Sequence, residues 1–444
     1  MPIGALFAVS PVAAQTLEEA LVQTYRENPT LEAERAGLRA TDEGVPQALS
    51  NWRPTVEING SYGRNDTSSD LANGTSTDTL RHPRDIELEI TQNIFRGFRT
   101  VAETSQARNL VAAGRASLIS TEQSVLLDAV TAYADVVQTQ AVVRLRESNV
   151  RVLQRQLEAT QDRFRVGELT RTDVAQAESR LARAKADLVG AQGSLDSARA
   201  QYREIIGSDP PNLVTPGVPG ALPVSEDQAR EQALTNNPGV VAAEFNERAA
   251  RDSIDLSAGK FYPTVSVTGS ATRDADVSGS NIDRTIVSLV ANLTMPLYQA
   301  GDVSSQVREA KQTASERMSL LAEARRSAAQ TATAAWSDLS AARASIASFE
   351  AEVKAQEVAY DGVQQEANVG SRTVLDVLDA EQELLNARVN LVGARRDEVV
   401  NAYELLAAIG RMTAQDLGLP VDYYDPTRNY EAVEDKWFGT DIGK

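Results

Sequence analysis

The chain has 444 residues, of which 24 % are charged and only 5 % aromatic, and its formal net charge is -18. Such an acidic chain is a poor partner for nucleic acid, because phosphates bind to basic patches, but it can line an aqueous path that favours cations. Cysteine is absent and His82 is the one histidine, which excludes disulfides, thiolate catalysis and Cys/His zinc sites. We therefore expect no metal, no cofactor and no enzymatic activity, and we interpret His82 as a solvated loop residue.

Residues 1–14 combine a short apolar run with a series of small residues that ends at Ala14. This pattern predicts the remnant of a secretory signal, with cleavage after Ala14; a frayed apolar terminus is the alternative interpretation. No other segment approaches the roughly 20 apolar residues that a membrane-spanning helix needs. If the protein crosses a membrane, we expect it to do so with strands.

The sequence contains an internal duplication, in which short motifs recur roughly 200 residues later in the same order. The matched motifs are Asn28-Pro29 with Asn237-Pro238, Val166-Gly167 with Val369-Gly370, and Ile206-Gly207 with Ile409-Gly410. We therefore predict two structural repeats, 15–207 and 224–410, followed by a C-terminal tail over 411–444. The five prolines of residues 208–223 forbid regular helix, which indicates an extended crossover or, alternatively, a floppy linker.

Each repeat opens with a helix-start signature. Thr16 is followed three residues later by Glu19, and Ser225 by a glutamine at the same spacing, which is the capping box that satisfies the free amides of a first helical turn. The Asn-Pro pair then interrupts the helix, and a second helix is predicted over about 29–50 in the first repeat and 238–259 in the second.

Two strands are predicted in each repeat, because apolar and polar residues alternate with a period of two. The four segments are about 54–66, 84–95, 263–274 and 285–298. Such alternation gives one apolar and one polar face, which is typical of transmembrane barrel hairpins and equally of a half-buried soluble sheet.

A long helical hairpin follows the strands of each repeat, over about 100–206 and 302–409. Its outgoing helix runs for roughly 66 residues, or ~100 Å, a length that no compact globule needs. The returning helix carries an apolar seam with heptad spacing from Leu181 to Ile205, which is compatible with a coiled coil or a helical barrel. Because this helix is shorter than its partner, we expect the segment 29–50 to stack on its end.

Aromatic residues cluster where the predicted strands meet the helices. They are Trp52, Phe95, Phe98, Phe261, Tyr262 and Tyr298. Such a cluster is typical of the interfacial girdle of a membrane barrel, and a hydrophobic plug at a sheet–helix junction is the alternative. Four strands cannot close a barrel and open edges are not tolerated in lipid, so closure requires several chains; three would supply twelve strands.

These elements, together with two glycine-turn motifs, resemble the TolC family of outer-membrane efflux and secretion proteins over nearly the whole chain, Thr16 to Gly410. The motif Asn368-Val-Gly-Ser-Arg-Thr-Val-Leu-Asp-Val-Leu-Asp-Ala380 is similar to the family's second periplasmic tip, and Phe164-Arg-Val-Gly-Glu-Leu-Thr-Arg-Thr-Asp-Val174 is similar to the first. The run that starts at Tyr423 is similar to the tails of members that serve type I secretion.

The resemblance implies a mainly α fold with a β-barrel portion. In a homotrimer, four transmembrane strands per chain would complete a twelve-stranded barrel, joined to a long periplasmic α-helical barrel. The implied location is the Gram-negative outer membrane, extending into the periplasm. The implied partners are outer-membrane lipid, a periplasmic adaptor (membrane fusion) protein and an inner-membrane pump of the ABC or another class, with no nucleic acid. The implied role is a passive duct that opens at its periplasmic end.

The resemblance also assigns roles to residues at the two tips. Asp376 and Asp379 match the family's pore-constricting aspartates. They lie three positions apart on one helix face, and in a trimer they would form carboxylate rings that favour cations. Arg372 matches a gate-latch arginine, and Thr172 and Asp173 match its partners on the neighbouring hairpin.

The family's tip tyrosine falls at Ala367, so one latch contact is missing and we expect the closed state to be held differently or less firmly. The residues expected to contact the adaptor are Val166, Gly167, Thr170, Val369, Gly370 and Thr373. In a simpler interpretation, Asp173 and Asp376 are helix N-terminal charges stabilised by the helix dipole, and the glycines are plain turn residues. Paired carboxylates can also belong to a glycosidase or a metal site, but no other part of the sequence completes one.

The sequence therefore favours a passive trimeric export channel. Type I protein secretion is preferred on the basis of the tail, and multidrug or small-molecule efflux is the alternative. A periplasmic coiled-coil scaffold is a more distant alternative, which the alternating hairpins disfavour. An enzyme is the least favoured class.

Overall fold

The computed structural model describes residues 14–70, 72, 74–277 and 283–442. The predicted signal remnant, residues 1–14, lies outside the described residues except for Ala14. The helices of the described ranges are α1 Leu17–Glu27, α2 Pro29–Asp42, α3 Gly44–Ser50, α4 Arg99–Arg165, α5 Arg171–Ile206, α6 Glu226–Asn236, α7 Pro238–Ala258, α8 Asp302–Asn368, α9 Val374–Ala408 and α10 Arg428–Val433. The strands are β1 Thr55–Tyr62, β2 Asn65–Asp70, β3 Ser76–Arg81, β4 Arg84–Arg96, β5 Thr264–Ala275 and β6 Asp283–Thr294. Within these ranges, every helix is too short or too polar to cross a bilayer.

These residues form two compact units, and each unit draws on both predicted repeats. The first, called the tip unit, comprises the residues up to Ala36 together with Ala116–Val241 and Glu323–Tyr424. The second, called the sheet unit, comprises Gly37–Arg115, Ala242–Ala322 and the residues from Asp425 onward. The glycine turns of both helical hairpins belong to the tip unit, and the strands belong to the sheet unit.

Helices α5 and α9 pack together in the tip unit along the apolar seam that the heptad pattern predicts. Leu181 and Leu378 share one buried cluster, whose other members are Leu153, Ala177, Ala184 and Val374. Alternation of leucine with alanine allows close approach of the helix axes, and burial of each leucine contributes roughly 2 kcal/mol.

The two Asn-Pro motifs make the joints between short and long helices. The Asn28 side-chain amide donates to the Ile205 carbonyl at the end of α5, 3.0 Å away, while its Oδ1 accepts a first-turn amide of α2 at 2.9 Å. Asn237 repeats this arrangement and donates to the Ala408 carbonyl at the end of α9, 3.1 Å away. Each asparagine thus connects two helix ends, as the expected stacking of the segment 29–50 requires.

One antiparallel sheet, in the order β1-β4-β5-β6, forms the centre of the sheet unit. Its register sets Val56 opposite Ile90 and Ile58 opposite Leu88, so that alternating apolar residues share one face. The pairing of β4 with β5 brings the two repeats into the same sheet. Among the described strands, β2 and β3 form a separate hairpin, and β1 and β6 are the edges of the main sheet.

Three predicted elements differ from the observed ones. β1 ends at Tyr62 rather than near 66, because Pro83 on the opposite chain segment has no N–H to continue the ladder. β6 ends at Thr294 rather than near 298, since Pro296 cannot donate to a ladder either. The predicted helix 29–50 consists of two pieces, α2 and α3.

Candidate functional site

The two hairpin tips have the same local geometry. After α4, Gly167 has a φ of 83°, and its N–H donates to the Phe164 carbonyl at 3.0 Å. After α8, Gly370 has a φ of 82°, and its N–H donates to the Ala367 carbonyl at 3.2 Å. A left-handed glycine ends each helix because a side chain would strain this backbone conformation. The matched motifs therefore produce matched turns.

Each tip turn is followed by a capping box. The Asp173 carboxylate accepts the Thr170 amide at 2.8 Å and the Thr170 hydroxyl at 2.7 Å, while the Asp173 amide donates to Thr170 Oγ1. Asp376 makes the same bonds to Thr373, at 2.9 and 2.8 Å. These hydrogen bonds favour the ionised carboxylates and lower the pKa of Asp173 and of Asp376. Both aspartates are therefore helix N-terminal charges, as the simpler interpretation has it.

Arg372 forms an ion pair within its own hairpin. Its Nε lies 2.9 Å from Glu366 Oε2, and this hydrogen bond raises the pKa of the Arg372 guanidinium. Within one protomer the predicted partner Asp173 is bonded to Thr170 instead. The latch between Arg372 and the residues Thr172 and Asp173 of the neighbouring hairpin stays a prediction.

Asp379, the second predicted pore aspartate, pairs with a residue that the sequence analysis missed. Arg180 on α5 approaches it with Nη2 at 2.5 Å from the Asp379 carboxylate, and both side chains are partly exposed. Each residue is the immediate neighbour of a buried leucine of the seam, Leu181 or Leu378. Charges that flank an apolar seam commonly pair across it, so the heptad phase was the signal that could have identified Arg180.

A second polar contact lies further along α8 and α9. Tyr360, seven residues before Ala367, makes a hydrogen bond with Glu381, and burial together with this carboxylate raises the pKa of Tyr360 to about 12. Burial also raises the pKa of Glu381. A tyrosine is thus present on the helix that leads to the second tip, but one heptad away from the position that the family motif predicts.

The main sheet of the sheet unit exposes its apolar face. Val56 and Ile58 on β1 are 62 % and 72 % exposed, and Leu289 on β6 is 80 % exposed. The opposite face is acidic, with Glu57 directly across from Glu89. Such a sheet needs an apolar environment on one side and water on the other.

The predicted girdle residues divide into two groups. Phe95, Phe98 and Tyr262 form a chain of edge-to-face contacts, with ring centroids 5.1 and 6.0 Å apart. Phe98 and Tyr262 are nevertheless exposed, as are the three rings outside this chain of contacts, those of Trp52, Phe261 and Tyr298. Edge-to-face packing stabilises a sheet–helix junction, whereas exposed rings beside strand ends suit a membrane interface. Both the plug and the girdle interpretation therefore have residues that fit them.

A duplicated chain that combines two long helical hairpins with a sheet whose apolar face is exposed has the architecture of an outer-membrane channel protein. A profile of the outer membrane efflux protein family matches residues 20–208 and 229–411, and the chain belongs to this family. It is a transport protein of the Gram-negative outer membrane that extends into the periplasm.

Three comparisons support this assignment. The chain is similar to outer membrane efflux protein BepC of Brucella suis, with 37 % identity over 98 % of this chain and 94 % of that protein. Identity to outer membrane protein TolC of Escherichia coli is 28 %, covering 94 % of this chain and 87 % of that protein. The solved outer membrane channel CmeC of Campylobacter jejuni covers 94 % of this chain and 89 % of its own, with a TM-score of 0.81 at 15 % identity, which shows a shared fold. The predicted family and fold class, mainly helical with a sheet portion, are confirmed, and these relatives are transport proteins rather than enzymes.

Proposed function

We propose that this chain is one protomer of a homotrimeric channel that serves as the passive exit duct for an inner-membrane pump and a periplasmic adaptor. The observation that carries the proposal is the main sheet, which among the described strands has two unpaired edges and an exposed apolar face. A sheet of this kind is stable in lipid only when both edges are paired, since unsatisfied backbone groups are costly in hydrocarbon.

Pairing β1 of one copy with β6 of the next satisfies both edges. Three copies then supply twelve strands, which is within the size range of membrane barrels. The apolar face turns towards lipid and the acidic face towards water. Membership in the outer membrane efflux protein family supports the number three.

Carboxylates line the proposed water path at two levels. The polar face of the sheet carries Glu57, Glu87 and Glu89, and the tips carry Asp376 and Asp379. Because a trimer repeats each residue three times, these side chains form rings of negative charge that favour cations over anions.

The proposed gate combines contacts between copies with contacts inside each copy. Between copies, Arg372 pairs with Thr172 and Asp173 as the family motif predicts. Inside each copy, the ion pair of Arg180 with Asp379 holds α5 against α9. This contact compensates in part for the tyrosine contact that is missing at the tip.

The two glycine turns are the proposed adaptor contacts. Val166 is 71 % exposed and Val369 is 81 % exposed. An apolar side chain at the apex of each hairpin is suited to burial against a partner. The flanking residues Gly167, Thr170, Gly370 and Thr373 shape these turns.

Bilayer recordings test the proposed conduit. Replacing Asp376 and Asp379 together by alanine removes six carboxylates per trimer, and we expect the cation-to-anion permeability ratio to fall several-fold. Glu383→Ala, an exposed change nearby on α9, is the matched control and should leave the ratio unchanged. An unaltered ratio in the double variant would count against the carboxylate rings.

Two cargo classes have separate support. Efflux of small molecules is favoured by the similarity to BepC, whose name describes an efflux protein. Type I protein secretion is favoured by the tail that starts at Tyr423, which resembles the tails of secretion members. In a deletion strain, loss of resistance to several drugs with unchanged secreted protein would support efflux, and the reverse pattern would support secretion.

A further inference from the structure

From Asp425 onward, the C-terminal tail packs along the sheet unit. Asn429 donates to the Asp42 carboxylate at 2.8 Å, at the end of α2. The next residue, Tyr430, lies under the Arg115 guanidinium of α4, which is 5.1 Å from its ring centroid. This part of the tail therefore contacts two helices, α2 and α4.

The next tail contacts lie nearer to the strands. Glu434 forms an ion pair with Arg108 at 2.9 Å, seven residues closer than Arg115 to the start of α4, or about 10 Å along the helix. The carbonyl of Lys436 accepts from Arg53 at 2.7 Å. Because Arg53 precedes β1 by two residues, the tail reaches the level at which the sheet begins.

Beyond this point the tail presents large apolar side chains to the outside. The Arg53 guanidinium lies 4.8 Å from the Trp437 ring centroid, yet Trp437 remains 58 % exposed, Phe438 87 % and Ile442 91 %. Trp52, adjacent to Arg53, is exposed as well, and its carbonyl accepts from Gln92 of β4. Two exposed aromatic residues are thus close to one arginine at the base of the sheet, Trp437 in contact with it and Trp52 next to it in the sequence.

We propose that Trp437, Phe438 and Ile442 insert into the periplasmic leaflet of the outer membrane and anchor the tail there. This inference rests on the proposed function, because it needs the sheet to cross the membrane. Exposed tryptophan and phenylalanine with an adjacent arginine are the composition of a membrane interface, where amphipathic rings reside at headgroup level. Continuity with the strand bases favours phospholipid as the occupant over a protein partner.

Three tryptophans in the sequence, Trp52, Trp336 and Trp437, provide the test and its controls. Full-length protein that retains one tryptophan, with the other two changed to phenylalanine, is reconstituted into phosphatidylcholine vesicles with or without bromine on the upper acyl carbons. We expect Trp437 fluorescence to fall roughly twofold in brominated lipid. Trp336 lies 34 residues into α8, roughly 50 Å along the helix from its start, and its fluorescence should not change.

The possible outcomes distinguish failure of the tail anchor from failure of the proposed channel function. Quenching of Trp52 without quenching of Trp437 would overturn the anchor and leave the membrane level of the strands intact. Quenching of neither would overturn the anchor and also count against the proposed function. Shielding of Trp437 from both bromolipid and aqueous iodide would show that a subunit covers it, which also overturns the anchor. The single variant Trp437→Phe, which keeps Trp52 and Trp336, tests the same point without the double variants. Its fluorescence should lose less intensity in brominated lipid than that of the unchanged protein, because the quenchable Trp437 is missing.

Discussion

The carboxylates of Asp173 and Asp376 are held by the turns that precede them. Each accepts from the backbone and the hydroxyl of one threonine, so that its orientation is set by the first turn of its helix. This arrangement favours the ionised carboxylate, which lowers its pKa, and also restrains its side chain. In the proposed carboxylate ring, Asp376 would benefit from both effects, because a mobile or neutral side chain would contribute a weaker field.

Acidification should loosen the first turns of α5 and α9. The pKa of Asp173 and the pKa of Asp376 are lowered in the folded protein. Their caps therefore stabilise the fold above the ordinary carboxyl pKa, and this contribution is lost as pH falls through the lowered pKa. We expect amide protection in these turns, measured by hydrogen exchange and corrected for the intrinsic rate, to be constant from about pH 7 to 5 and to decline below about pH 4.

The double variant Asp173→Asn with Asp376→Asn tests whether these two groups cause the decline. Its protection should be lower at neutral pH and should no longer change with pH in this range. Asp162→Asn, an exposed change near the end of α4, should keep the pH dependence of the original protein. If amide protection in the double variant still declined below about pH 4, other groups would be responsible for the decline.

Replacing Arg180 by alanine should make the tip easier to open, because Asp379 then loses its partner on the neighbouring helix. A partly exposed ion pair contributes about 0.5 kcal/mol, so three copies in a trimer correspond to about a tenfold change in the open fraction. Single-channel open probability measures this change. Arg183→Ala is the matched control, since Arg183 pairs with Asp187 on its own helix at 3.2 Å. Equal effects of the two variants would contradict a role for the pair between α5 and α9.

At the scale of the elements, the long helices are joined to shorter ones by asparagine side chains. Asn28 and Asn237 each cap a new helix through Oδ1 and satisfy a terminal carbonyl of another through Nδ2. Helix ends carry unsatisfied backbone groups that must be paired when they are buried. One side chain that pairs two ends explains why asparagine precedes proline in both repeats.

Asn237→Ala should destabilise the second joint. The variant leaves the Ala408 carbonyl without its side-chain donor and removes the cap of α7, which together cost about 1–2 kcal/mol. We expect the thermal unfolding midpoint, followed by circular dichroism in detergent, to fall by roughly 2 °C. Asn236→Ala changes an exposed neighbour and should have no comparable effect. Identical midpoints for the two variants would contradict the joint.

For the whole molecule, the edges of the main sheet decide the assembly. β1 and β6 lie at opposite edges, and the exposed apolar face between them is incompatible with an isolated chain in water. In a symmetric assembly the same contact is repeated between all neighbouring copies. Pairing of β1 in each copy with β6 in the next would therefore close the proposed barrel with a single type of contact.

Cysteine crosslinking tests this closure, and the absence of native cysteine makes the background clean. A set of variants pairs Glu57→Cys on β1 with a cysteine at Ser288, Val290 or Asn292 on β6. We expect one of these registers to yield covalent trimers on non-reducing gels, because directly opposed residues have Cβ atoms about 5 Å apart. Glu89→Cys on the central strand β4, combined with the same β6 changes, should yield none. Failure of every register, or equal yields from β4, would contradict the proposed ring.

The local geometry of the two tips could be predicted from the sequence, because it depends on residues that are neighbours in the chain. The glycine turns at Gly167 and Gly370 and the helix N-terminal charges Asp173 and Asp376 depend on backbone and side chains within a few positions. Other contacts could not be predicted in this way. Arg180 and Asp379 are 199 residues apart in sequence, so their pairing depends on which two helices become neighbours.

The amino-acid sequence by itself determined the duplication, the alternating strands, the heptad seam and the turns at both tips, because each is a property of local spacing and periodicity. A period reveals which face of an element is buried but not which element covers it. Only the tertiary structure decided that β4 pairs with β5 between the repeats, that Tyr360 meets Glu381, and that the tail reaches Arg53. The first and third of these contacts join segments far apart in the chain, and the second joins two helices across a turn; all three form only when packing brings the segments together.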